Sequence, residues 1–347
     1  MRRWIVPLAL LAALAAPASA ADSSQWGRDL ENRPTASLNL SAGVLFDLDG
    51  SIRETTRPIY EVLGAGNEGA EDYSLDELGF TDSYPVFGLE FEKMWKYVTL
   101  QLRGAYMAAD AQGEAERDYY LGVEEVSFGG DDYDYMQIPR GQDYEADIQG
   151  GIFGARALIT PCTLEPEAWM VEFVPSLYVG LFSFAGYYEI DAGPAEGVIL
   201  YENPPREYVV GGTGKGWTGI AVPEIGLGGE LRLVQGQRFG HDISLVLEGY
   251  YSIFQFEGTT EDLGISSRHD KLLDLDYTAY ELRLVFEIPM SESLDLFFGA
   301  GYQVLEADAL ARAEDRPAEE VLALREKFDK DIHFEMSQAT ALLGIRY

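Results

Sequence analysis

The sequence predicts an all-β chain, a transmembrane antiparallel up-and-down barrel of about ten strands. Three observations carry that expectation. Apolar residues recur at every second position in segment after segment. Short and long connections between these segments alternate down the chain. No stretch beyond the first twenty residues has the continuous apolar length that a membrane-crossing helix needs, so a span has to be made of strands.

The leader is read first. Arg2 and Arg3 give a basic start, Val6 to Ala16 an apolar run broken by Pro7, and Ala18-Ser19-Ala20 a small-residue cleavage site. Residues 1–20 therefore read as a secretory signal peptide and 21–347 as the barrel with long acidic extracellular loops. The formal net charge is −34, and removing Arg2 and Arg3 takes it to −36. Such acidity argues against nucleic acid as a partner. Cys162 is the only cysteine, which excludes an internal disulfide and a cysteine metal site. No cofactor or metal is expected.

The strands follow in order. From Thr35 to Leu48, Ala36, Leu38, Leu40, Ala42, Val44, Phe46 and Leu48 share one face, and Ser37, Asn39, Ser41 and Asp47 the other. That period of two suits a wall between lipid and a polar interior. A charged segment runs to about Tyr84. Phe87, Leu89 and Phe91 then lead through a tight turn at Lys93–Lys96 to Val98, Leu100, Leu102, Gly104 and Tyr106. After a second long segment come a strand from about Tyr144 to Leu158 and another with Phe173, Leu177, Val179 and Leu181. Ile225, Leu227, Leu231 and Leu233 mark the next, which turns at 235–242 into Ile243, Leu245, Leu247, Tyr251 and Ile253. Tyr280 to Ile288 turns at Pro289–Ser293 into Leu294 to Val304, and a connection with a helix expected from Pro317 to about Lys327 reaches the last strand. Both termini and the short turns then share the periplasmic side, and five long segments face outward.

Interior candidates come from the same parity. Glu230-Leu231-Arg232-Leu233 and Glu281-Leu282-Arg283-Leu284 place their leucines toward lipid and their charges inward. Glu248 and Arg103 join them. A barrel this narrow has little more room than its side chains fill. The expectation is an internal salt-bridge network, with a charged constriction in a narrow pore as the functional alternative. Aromatics near the turns, Trp95, Tyr97 and Trp169, suit an interfacial girdle.

The terminal run Ala341 to Tyr347 alternates and ends on an aromatic. It resembles the closing signature of bacterial outer-membrane barrels, with Leu343, Gly344, Ile345 and Tyr347 as the insertion signal. That resemblance implies the outer membrane as location, with its lipids and the barrel-insertion machinery as partners. Leu75-Asp76-Glu77-Leu78-Gly79-Phe80-Thr81-Asp82, followed by Pro85 to Glu92, is similar to a stretch near the start of a group of uncharacterised outer-membrane barrels.

Two motifs bear on chemistry. Gly212, Gly214 and Gly216 form a G-x-G-x-G run that lacks the strand-to-helix setting of a phosphate cradle and reads as a flexible outer loop. Asp131, Asp132 and Asp134 in the second long segment and His269 with Asp270 in the fourth could act on water by general base catalysis. In architecture and loop order this resembles the omptin proteases, which implies a surface peptidase. Omptins carry an aspartate two positions before the histidine, where this chain has Ser267. Of the other histidines, His241 falls in an expected short turn, and His333 is the remaining outer-face candidate. A structural or surface-interaction role ranks first, with an extracellular ligand left open. A narrow channel for small solutes and an omptin-like peptidase follow.

Overall fold

The computed structural model describes residues 24–26, 35–53, 72–74, 79–80, 83–164, 171–202, 205–259, 271–313 and 330–347. The leader, the helix expected near Pro317, Trp169, Ser267, His269 and Asp270 lie outside these residues. In chain order the strands are β1 (Ser24–Trp26), β2 (Ala36–Arg53), β3 (Asp72–Ser74), β4 (Tyr84–Met94), β5 (Val98–Glu114), β6 (Tyr119–Phe128), β7 (Asp131–Ile138), β8 (Asp143–Ile159) and β9 (Cys162–Leu164). There follow β10 (Val171–Asp191), β11 (Gly197–Glu202), β12 (Pro205–Val210), β13 (Thr213–Arg238), β14 (His241–Thr259), β15 (Lys271–Ser291), β16 (Leu294–Ala313) and β17 (Lys330–Arg346).

Ten of these close on themselves. Round the wall the order is β2, β4, β5, β8, β10, β13, β14, β15, β16, β17 and back to β2, every pair antiparallel. The last strand seals the first from Arg346 opposite Ser37 to Asp331 opposite Arg53, with one irregularity between Glu335 and Ser337. Closure matters because it leaves no wall strand with a bare row of backbone donors and acceptors. At the β13–β14 turn, Phe239 (φ 53°) and Gly240 (φ 84°) both take positive φ, as a two-residue hairpin turn matched to strand twist demands. The Arg238 guanidinium lies 4.8 Å from the Phe239 ring centroid and covers it.

Side chains alternate across this wall, but what alternates changes along the barrel axis. Near the short turns the outward face is apolar: Leu40, Leu89, Leu102, Phe153, Leu181, Ile225, Leu282 and Leu343 are all exposed. This belt has the character of a lipid-facing surface. Toward the long connections the outward positions become acidic, with Asp110, Asp143, Glu145, Asp147, Asp191 and Asp308 exposed. The inward positions there are Leu45, Met107, Ala109, Tyr144, Ala146, Phe182, Val222, Leu305 and Met336, which form one buried apolar cluster. The alternation of Thr35 to Leu48 suggests a polar interior, and in the far half the interior is apolar instead.

The second and third long connections are more ordered than weak periodicity suggests. β6 and β7 form one hairpin and β11 and β12 another, and the two join where Val209 and Val210 of β12 run parallel to Met136 and Gln137 of β7. Gly211 N–H donates to the Gln137 carbonyl at 2.8 Å, and Tyr208 packs on Tyr120 and Tyr135 at 5.5 and 5.2 Å between centroids. The small sheet touches the wall where Glu125 faces Lys215. Tyr119, Leu121, Val123, Val126, Ile138 and Val209 continue the apolar cluster out of the barrel.

The glycine run is a correction. Gly212 (φ 91°) lies in a bend, but Gly214 and Gly216 belong to β13 rather than to a loop. A Cβ on Gly214 would come within 2.3 Å of Met136 Sδ, and one on Gly216 within 2.4 Å of the Tyr188 hydroxyl. Gly214 thus passes tight beneath the outer sheet, and Gly216 leaves room for Tyr188 of the neighbouring wall strand β10.

Candidate functional site

The strongest concentration of chemistry lies inside the belt, where inward parity places charge from strand after strand at one height. Glu281 of β15 is a hub. It accepts from Arg103 of β5 at 2.6 Å, from Arg156 of β8 at 2.9 Å and from Arg283 of its own strand at 2.5 Å. Arg283 crosses the lumen to fork both oxygens of Glu90 on β4, at 2.7 and 2.6 Å. Arg156 donates from Nε to Glu224 of β13 at 2.8 Å, and the Tyr277 hydroxyl donates to the other Glu224 oxygen at 2.7 Å. The Arg156 guanidinium also lies 4.9 Å from the Tyr178 ring centroid and 5.7 Å from that of Tyr250. Three guanidiniums thus meet three carboxylates, and the layer balances.

A second layer lies nearer the short turns. Glu287 accepts from Arg232 of β13, from Arg346 of β17 and from the Ser244 hydroxyl. Arg346 also approaches Glu248 at 3.6 Å and Glu92 at 4.0 Å, and Arg232 approaches Glu172 at 3.9 Å. Gln101 and Ser37 donate to Glu92 at 3.1 and 3.3 Å. Glu230 stands opposite Glu248 in the β13–β14 ladder and is buried with it. In this layer the carboxylates of Glu92, Glu172, Glu230, Glu248 and Glu287 outnumber the guanidiniums of Arg232 and Arg346. Charges this dry depend on their partners, because an ion left alone in such a place loses its hydration without compensation.

All six inward residues named from the sequence, Arg103, Glu230, Arg232, Glu248, Glu281 and Arg283, face the lumen. Sequence reasoning missed Glu90, Arg156, Glu224, Glu287 and Arg346, which bind them together. Parity counted from Leu89, Ile225 and Leu284 places Glu90, Glu224 and Glu287 inward, whereas Arg156 shares its parity with Leu158, which is itself buried. Arg346 is the inward residue between the outward Ile345 and Tyr347.

The other candidates fall elsewhere. Asp131, Asp132 and Asp134 are exposed on β7, and Asp132 accepts from Ser127 across its own hairpin at 2.6 Å. His241 Nδ1 lies 2.8 Å from Asp295 at the short-turn rim, the opposite end from those aspartates. His333 belongs to β17, opposite Asp308 in the ladder. Among the described residues no group of three or more His, Cys, Asp or Glu is disposed to hold a metal ion. In the terminal strand, Leu343, Ile345 and Tyr347 point outward, and a Cβ on Gly344 would meet the Phe297 ring at 2.3 Å.

A closed ten-stranded wall with a belt that is apolar outside and charged inside defines a membrane β-barrel by its own pairing and surface. No protein-family model and no curated protein matches the chain. Among solved structures it is similar to the outer membrane protease OmpT from Escherichia coli (7% identity, TM-score 0.39, covering 90% of this chain and 97% of that one). It is also similar to the transport unit of the autotransporter AIDA-I from Escherichia coli (8%, 0.33, 92% and 92%). A third is a mutant of the monoaromatic hydrocarbon channel TodX (7%, 0.18, 90% and 91%).

Proposed function

We propose that the chain is an outer-membrane barrel with a sealed lumen, serving a structural or surface-interaction role. Residues 1–20 direct export, the short turns and both termini face the periplasm, and the outer sheet faces the medium. Its partners are then outer-membrane lipids, the barrel-insertion machinery and an extracellular ligand met by the β6–β7 and β11–β12 hairpins, with no nucleic acid among them. The observation that carries this reading is the filling of the lumen. Ion pairs cross it in the belt half, and the apolar cluster occupies it beyond.

Planar-bilayer recording tests it. The chain without residues 1–20, inserted into bilayers, is expected to show no conductance steps. Steady single-channel steps from the wild-type chain would replace this reading with the narrow channel. Turnover of surface peptides that is lost in His269→Ala would replace it with the peptidase.

A further inference from the structure

The outer sheet ends on an open edge. Its strands run β11, β12, β7 and β6, and among the described residues β12 is the only strand paired with β11. Glu196 N–H donates to the Val210 carbonyl at 2.8 Å and so points at β12. Backbone groups alternate in direction along an antiparallel strand. Those of Val198, Leu200 and Glu202 therefore face β12, and the N–H and C=O groups of Gly197, Ile199 and Tyr201 face away from it. The space beside them is open among the described residues. Ile199 and Leu200, on opposite faces of the strand, are 39% and 58% exposed, and a Cβ on Gly197 would meet no atom within 4 Å.

A bare row of donors and acceptors is a template for another extended chain, and protected edges carry lysine or proline to prevent it. β11 has neither, and its centre reads Val198-Ile199-Leu200-Tyr201. Charge selects the occupant. Two acids on β6, three on β7 and one each on β11 and β12 stand against one base, Arg206. Glu196, Glu207 and Asp134 are exposed, and Glu207 pairs with Leu200 one strand in from the edge. A second copy of this chain would bring the same acidic excess to the same edge. We propose that β11 is a docking edge for an extended basic peptide segment. The segment adds as a further strand through main-chain hydrogen bonds to Gly197, Ile199 and Tyr201, and its Lys or Arg side chains lie toward the acids of the sheet. This rests on the reading that the outer sheet faces the medium, and it names the class of ligand met there.

Fluorescence anisotropy tests it, with the full chain in neutral detergent micelles and a labelled octapeptide that alternates lysine and valine. Saturable binding is expected, weakening as salt is added. Ile199→Pro removes an outward N–H and no charge, and should bind about tenfold more weakly. The same peptide with every backbone amide N-methylated should lose at least as much on the wild-type chain, a measurement that stands even where the proline variant folds poorly. Undiminished binding in either case would reduce the contact to charge alone and overturn the proposal. Equal binding of a glutamate–valine octapeptide would overturn it as well. A dimer of the chain that Ile199→Pro dissolves would give the edge to a second copy instead. Bilayer recording on the same preparation keeps the two readings apart: a conducting chain that still binds loses the sealed lumen and keeps the edge.

Discussion

The two halves of the barrel share one backbone ladder and reverse its faces. Near the short turns Leu102 and Leu282 point out while Arg103 and Glu281 point in. A few residues further along the same strands, Asp110 and Asp276 take the outward side while Ala109 and Tyr277 are buried inside. Hydrogen bonding does not distinguish the halves, so the surroundings must. In a lipid belt the apolar side chains are already in an apolar solvent, and only the interior is left for charge. Above it the wall stands in water and packs like a soluble protein, with its core inside and its acids outside. The level of the reversal, close to exposed Tyr106, Tyr280 and Tyr302, marks the far edge of the belt.

The largest effect that can break this contrast lies in the belt interior. Glu281→Ala strands Arg103, Arg156 and Arg283 around an absent carboxylate, and a loss of about 3–5 kcal/mol is expected in denaturant unfolding. Leu305→Ala in the far half removes a fully buried side chain from an apolar core, at about 2–5 kcal/mol. If the belt charges were loosely solvated, Glu281→Ala would cost no more than an exposed ion pair, about 1 kcal/mol or less, and the dry network would be refuted.

The outward face gives the next test. Leu282→Arg in the belt should cost about 2–4 kcal/mol in lipid vesicles. Gln112→Arg, outward on β5 above the reversal, should stay within about 0.5 kcal/mol. Equal costs at the two positions would erase the boundary. The smallest expected effect is a gain. Asp147 stands directly opposite both Asp110 and Glu189 on the outward face, and like charges so placed repel. Asp147→Asn should raise the unfolding midpoint slightly, by up to about 1 kcal/mol at low salt, and the gain should shrink as salt is added.

These contrasts also explain what could be read without coordinates. In the belt half, period-two alternation is loud because the faces differ in chemistry, and Glu230, Arg232, Glu281 and Arg283 were placed from it. On β5 the inward run Met107, Ala109, Ala111 is flanked by Ala108 and Asp110, so its alternation is faint, and the apolar far lumen went unseen. The β6–β7 hairpin shows no period of two because Tyr119, Tyr120 and Leu121 are all buried, and the β7–β12 contact joins segments some seventy residues apart, which no local pattern announces.

What the sequence by itself determined is the barrel: alternation sets which face of each strand meets lipid, and alternating connection lengths set the antiparallel order. Only the tertiary structure decided how the lumen is closed, because that depends on which inward side chains meet across it. Arg346 shows the difference. Its neighbours Leu343, Ile345 and Tyr347 follow from alternation alone, but its approach to Glu92 of β4 at 4.0 Å exists only once β17 has closed against β2 and brought the first and last strands together.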